Sequence, residues 1–225
     1  MSIRKDFQVF LYKNRLNERS LLDLVDTLST RSIECIMKDL ERLSEKSSHD
    51  DTLYIFTDGG CSKNGRPDCK AGYSVVFTTD EDSDLYDFNT TRLVVKDPTN
   101  NKAELSAVRY VFKTISENVE SFTGKNIKIC TDSMYSINCI DKWSDGWIKK
   151  GWKNAKGEDV KNQDIIKAIL EFKNRISQSG SSIKISFQHV FSHTQPPDDK
   201  SSLQYYLWDG NRIVDENIQK ILNLN

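Results

Sequence analysis

Three carboxylates open the reading of this chain. Asp58 follows the apolar run Leu53-Tyr54-Ile55-Phe56-Thr57, and Asp132 follows Ile127-Lys128-Ile129-Cys130-Thr131. Glu104 sits in a segment whose apolar residues recur at helical spacing. A carboxylate at the end of a buried strand is costly unless a cation compensates it. Three that converge would form a site for hard divalent ions, which prefer oxygen ligands. Singly, each has an ordinary explanation. Asp58 before Gly59-Gly60 can make a turn, Asp132 or Ser133 can cap a helix, and Glu104 can be a solvated charge near the positive end of a helix.

The elements that must position these acids follow from periodicity. Leu53–Thr57 reads as a central strand buried on both faces. Gly72–Thr78 lies beyond a turn containing glycine and proline and pairs with it as a hairpin, and Leu85–Val95 supplies a third strand. Thr99 caps a helix along which Leu105, Val108, Val111, Phe112 and Ile115 recur. Ile127–Cys130 is a short strand, followed by a helix through Met134, Ile137 and Ile140. Ile165, Ile166, Ile169, Leu170 and Phe172 mark another helix, Ile183–Phe187 alternates as a strand, and Ile213–Leu222 is a closing helix. This order predicts a mixed α/β layer fold, with antiparallel pairing first and crossover connections later. Adjacent parallel strands would set Asp58 and Asp132 about 5 Å apart.

Residues 1–50 differ from the rest. Leu21, Leu24, Val25 and Leu28, then Ile33, Ile36, Met37, Leu40 and Leu43, suit two short amphipathic helices before a polar linker. This N-terminal helical extension can dock on the second domain, residues 51–225, or recruit a protein partner. Among 225 residues, 37% are hydrophobic and 29% charged, as in ordinary globular proteins. No apolar run is long enough to span a membrane, and no signal-peptide core follows Met1. The five cysteines form no C-x-x-C pair and have the wrong spacing for zinc with the histidines. They read as buried thiols, which fits a reducing intracellular compartment, cytoplasm or nucleus.

The net charge of −1 is not that of a generally basic nucleic-acid protein, so any such surface must be local. One cluster qualifies. Over residues 142–161, six lysines against Asp145, Glu158 and Asp159 leave +3, interleaved with Trp143, Trp147 and Trp152. Lysines neutralise phosphates while aromatic faces pack on sugars. A solvated helix with core tryptophans is the plainer alternative.

Across residues 52–220 the sequence resembles the type 1 ribonuclease H family, the eukaryotic-like branch with a basic protrusion. Four ordered motifs carry the resemblance: Thr57-Asp58-Gly59, Thr99-Asn100-Asn101-Lys102-Ala103-Glu104-Leu105, Thr131-Asp132-Ser133-Met134-Tyr135, and Gly210-Asn211-Arg212-Ile213-Val214-Asp215. The resemblance implies a ribonuclease H-like fold: a five-stranded mixed sheet, three antiparallel strands then parallel additions, flanked by helices. It also implies Asp215 as a fourth carboxylate and two Mg²⁺ ions held by the four acids, with Mn²⁺ able to substitute. The implied activity is endonucleolytic hydrolysis of the RNA strand of an RNA–DNA hybrid, leaving 5′-phosphate and 3′-hydroxyl ends, by a monomer. By the same resemblance, Asn64, Asn100 and Asn101 contact the minor groove near ribose 2′-hydroxyls. Tyr135, Trp143 and Trp147 line the DNA channel beside Lys149 and Lys150, Thr99 and Asn162 belong to a DNA-phosphate pocket, and His193 assists proton transfer or product release. The chain departs from the family in three places. Asp97 stands where the phosphate pocket has an arginine, Thr194–Asp209 is longer than the usual link, and residues 1–50 do not resemble the family's hybrid-binding module.

Overall fold

The computed structural model describes residues 52–223, so the two helices expected within residues 1–50 lie outside the described residues. Strand β1 (Thr52–Ser62) is the centre of a five-stranded sheet ordered β3-β2-β1-β4-β5. β2 (Lys70–Val76) pairs with it antiparallel, from Phe56 opposite Val76 to Ser62 opposite Lys70. β3 (Thr90–Val94) pairs antiparallel to β2. Helix α1 (Asn100–Glu117) and the single turn α2 (Val119–Phe122) then lead to β4 (Asn126–Thr131), which runs parallel to β1. α3 (Met134–Asn138), a π-helical turn at Cys139–Trp143 and α4 (Ser144–Lys149) follow in succession. α5 (Gln163–Gln178), β5 (Lys184–His189), parallel to β4, and α6 (Leu203–Leu222) complete the unit.

The expected mixed sheet is present, and local hydrogen bonding explains where element bounds differ. β1 does not end at Thr57: Gly59 and Gly60 remain paired with Tyr73 and Gly72, so they make no turn. The expected strand Leu85–Val95 shortens to Thr90–Val94, preceded by a 3-10 turn at Tyr86–Phe88. Asn89 sets that boundary. Its side chain accepts from the Phe77 amide at 2.6 Å and donates to the Thr78 carbonyl at 2.8 Å, standing in for a strand partner. The closing helix starts at Leu203, not Ile213, because the Ser202 hydroxyl accepts from the Tyr205 amide at 3.1 Å and caps an added aromatic stretch.

Two layers of side chains hold the helices to the sheet. Ile55, Val75, Ile127 and Ile129 meet Leu105, Val108, Phe112 and Ile115 of α1 and Ile166 and Ile169 of α5 in the main core. On the other face Tyr54, Phe56, Val76 and Cys130 meet Val214 of α6. The added turns of α6 extend this face, with the Tyr206 ring edge-on to Tyr54 at 5.8 Å and to Phe56 at 5.4 Å. Gly210 makes that seat possible: a Cβ there would lie 2.3 Å from the Phe56 ring. One cysteine expectation is corrected. Cys61 and Cys69 form a disulfide across the β1–β2 turn, with Cα atoms 6.7 Å apart, whereas Cys130 and Cys139 are buried thiols.

Candidate active site

The parallel register of β1 and β4 builds the first part of the site. Phe56 lies opposite Cys130, and the same offset carried two residues onward sets Asp58 opposite Asp132. The Thr57 hydroxyl donates to the Cys130 carbonyl at 3.1 Å and pins the two strand ends together. Glu104 arrives from the helix layer, and Gly59 admits it: a Cβ on Gly59 would meet the Glu104 amide nitrogen at 2.2 Å. The next residue, Gly60, faces the opposite layer, where a Cβ would strike Ile218 of α6 at 2.5 Å. The glycine pair therefore lets one helix from each face close on the strand directly after Asp58.

The ligand oxygens of Asp58, Glu104 and Asp132 all lie within 4.8 Å of one another. Asp58 and Glu104 are only 8% and 6% exposed, too buried for solvent to absorb their repulsion. Burial, then the neighbouring Asp132, push Asp58 up to about 7, although the Gly59 amide donates to it at 2.7 Å. Burial, then Asp58 and Asp132, likewise raise Glu104 well above the usual carboxylate range. Glu104 Oε2 and Asp132 Oδ1 are buried without a hydrogen-bond partner. Unpaired acceptor oxygens facing like charges are what a divalent cation would satisfy. The donor set fits such an ion: all oxygen, with no sulfur or imidazole among the three.

Asp215 stands at the edge of this triad. It lines the same cavity, adds to the repulsion that raises Asp58, and accepts from Gln219 Nε2 at 2.8 Å. His193 and Asn100 line that cavity too. His193 is exposed, with its backbone in the left-handed region at φ 54°. The Asn64 side chain accepts from the Asn100 amide at 3.4 Å, joining the β1–β2 turn to the start of α1, while Asn101 is exposed on the first helical turn. Thr99 caps α1, its hydroxyl accepting from the Lys102 amide at 3.2 Å. The Lys102 ammonium lies 3.4 Å from the Asp97 carboxylate and also donates to the Lys96 carbonyl, so the acid at the expected arginine position has a partner cation.

The basic aromatic segment forms a ladder of rings. Tyr135 to Trp143 spans 6.3 Å, Trp143 to Trp147 5.6 Å, and Trp147 to Trp152 6.5 Å between centroids. The π-helical turn shifts the phase of the helix here and leaves Trp143 41% exposed, which disfavours the core-tryptophan alternative for that ring. Trp147 and Trp152 are both half-buried and pack against the main core, with Lys167 4.7 Å over the Trp152 ring. Asn162 donates to the Tyr135 hydroxyl at 3.2 Å, and burial pushes that phenol up to about 12. Lys153 is paired with Asp159 at 2.8 Å; among the described residues Lys149 and Lys150 are exposed and form no ion pair.

A family model described as RNase H matches residues 50–220. The chain belongs to the RNase H family. It is similar to a ribonuclease H of Syntrophomonas wolfei, 37% identical over 127 residues that cover 55% of this chain and 78% of that protein. A ribonuclease H of Lachnoclostridium phytofermentans is 29% identical over 167 residues, covering 73% of this chain and 96% of the relative. The solved PFV RNase H domain shares the fold at a TM-score of 0.51 and 21% identity, covering 75% of this chain and 92% of that domain.

Three cavity-lining residues of this RNase H domain had no site role in the sequence reading, although Asn211 and Arg212 lie within the motif that ends at Asp215. Trp208, Asn211 and Arg212 all precede Asp215 on α6. Asn211 is buried and its Oδ1 lacks a partner, while Arg212 is gripped by Asp209 at 2.8 Å and Glu216 at 2.5 Å. Helical spacing back from Asp215 was the available signal, and it required knowing that the helix begins at Leu203.

Proposed function

We propose that this RNase H domain cuts the RNA strand of RNA–DNA hybrids as a monomer, with two Mg²⁺ ions held by Asp58, Glu104, Asp132 and Asp215. The observation that carries the reading is the convergence of three buried or half-buried carboxylates, two of them with an unpartnered oxygen, beside a fourth acid on the cavity edge. Bound there, the metal supplies activation of the attacking water and neutralisation of phosphate charge. The protein's own groups do the rest. Asp58 and Glu104, whose burial and mutual repulsion disfavour their charged forms, would be the carboxylates most favoured by a bound cation. His193, exposed on the rim, is the group able to exchange a proton with the leaving strand.

Substrate choice is assigned to groups around the cavity. Asn64, Asn100 and Asn101 offer both donors and acceptors to ribose 2′-hydroxyls. Tyr135, Trp143 and Trp147 present ring faces to the DNA strand, with Lys149 and Lys150 countering its phosphates and Thr99 and Asn162 supporting a phosphate contact. The test is to incubate labelled RNA–DNA hybrid, double-stranded RNA and double-stranded DNA with Mg²⁺. Cutting confined to the RNA of the hybrid, with 5′-phosphate ends, is the expected result. Tight hybrid binding without cleavage would instead make the domain a silent binding module.

A further inference from the structure

The residue after the cavity's histidine is held by the same helix that carries its fourth acid. The indole Nε1 of Trp208 donates to the Thr194 carbonyl at 3.0 Å, reaching from α6 to the residue directly after His193. That bond bridges the nine-residue loop Thr194–Ser202, and it is the hydrogen bond from α6 to the histidine's immediate neighbour among the described residues. His193 needs such a restraint, because a non-glycine residue keeps a left-handed backbone only where its surroundings impose it. Trp208, Arg212 and Asp215 succeed one another at helical spacing along one face of α6, and all three line the acidic cavity. The Arg212 guanidinium, held by Asp209 and Glu216, sits 5.9 Å from the indole, and the Tyr205 ring is a neighbour at 5.5 Å.

We propose that Trp208 is a positioning residue that fixes His193 over the carboxylate site through its hydrogen bond to the Thr194 carbonyl. The inference rests on the role given above to His193. Through this bond a single rigid helix indexes both the imidazole and Asp215, so their separation does not depend on the course of the long loop.

The decisive variant is Trp208→Phe, which keeps an aromatic ring beside Arg212 and removes the N–H together with the rest of the pyrrole ring. With Mg²⁺ and hybrid, kcat should fall about tenfold, a part of what a proton-transferring group contributes, while KM stays within twofold. His193→Ala and the double variant His193→Ala/Trp208→Phe should then have equal kcat. On metal-free protein, trypsin should cleave after Lys200 several-fold faster in Trp208→Phe than in the parent. Tyr205→Leu, which removes a neighbouring ring and leaves the indole N–H, should keep kcat within twofold. Parent-like kcat and proteolysis in Trp208→Phe would overturn the proposal, as would a further loss in the double variant or an equal loss in Tyr205→Leu. A silent His193→Ala would remove the role assigned to His193 and this inference with it. A damaging His193→Ala beside a silent Trp208→Phe would remove the inference alone.

Discussion

The acidic cavity and the lysine–tryptophan protrusion flank the same strand end, yet they handle charge in opposite ways. In the cavity, carboxylates are buried from solvent and set against one another, with oxygens left unsatisfied. In the protrusion, Lys149 and Lys150 remain in water at the end of a short helix, beside rings that are themselves only partly buried. Like charge in low dielectric stores a large interaction that a bound cation can release, whereas solvated lysines interact weakly but additively with a polyanion. The first arrangement suits chemistry at one phosphate, and the second suits grip along a strand.

That contrast is open to attack from either side, beginning with the largest effect. Asp132→Asn should reduce cleavage by at least about 10³-fold, since it removes one ligand from a three-acid cluster, while metal-free hybrid binding measured by anisotropy stays equal or tightens. Near-normal turnover in that variant would break the assignment. Gly59→Ala drives a methyl into the backbone of Glu104, which cannot yield as a side chain could. Displacing that acid by about 1 Å should cost about 10²-fold in kcat, and the overpacking should lower the melting temperature by several degrees, about 2 kcal/mol.

The repulsion in the cavity also predicts a pH dependence. Asp58 titrates at about 7 in the folded chain against its usual 3.8. Between those values the folded state holds a proton that the unfolded state has lost, so metal-free stability falls as pH rises across that window, by about 1.4 kcal/mol per pH unit crossed. Glu104, raised in the same direction, adds to the slope. Thermal melts at pH 5 and pH 8 should show the loss, and Mg²⁺ at pH 8 should recover it. A metal-free protein that is more stable at pH 8 than at pH 5 would contradict the buried-charge reading.

The protrusion should respond through affinity. Replacing Lys149 and Lys150 with alanine should raise KM about tenfold and flatten the salt dependence of binding by about one unit of log–log slope per lost phosphate contact, with kcat little changed. The smallest effect belongs to Asp97→Ala, which frees Lys102 from an exposed ion pair worth under about 1 kcal/mol. Hybrid affinity at low salt should improve about two- to threefold.

Much of this was legible in the sequence because the informative features were local or periodic. The apolar runs before Asp58 and Asp132 announced parallel strands, and parallel register alone brought the two acids together. Thr99 was readable as a cap, and the tryptophan spacing announced the protrusion. What stayed hidden depended on partners distant in the chain. Asn89 delays the start of a strand by bonding Phe77 and Thr78, which strand propensity in Leu85–Val95 does not reveal. The early start of α6 was obscured by Pro196-Pro197, and with it the places of Trp208 and Asn211. The pairing of Cys61 with Cys69 carries no spacing signature. The glycines after Asp58 looked like a turn because a sequence does not say that two helices need the room.

Gly210 has a wider meaning for the architecture. Its bare Cα lets α6 rest directly on the flat of Phe56, two residues before Asp58 on the same strand. The last of the four site acids is thus gauged against the first of them through one benzene ring, as a level is set on a machined surface. Any side chain at that seat would lift the helix and carry the fourth carboxylate away from the other three, even with every acidic residue still in place.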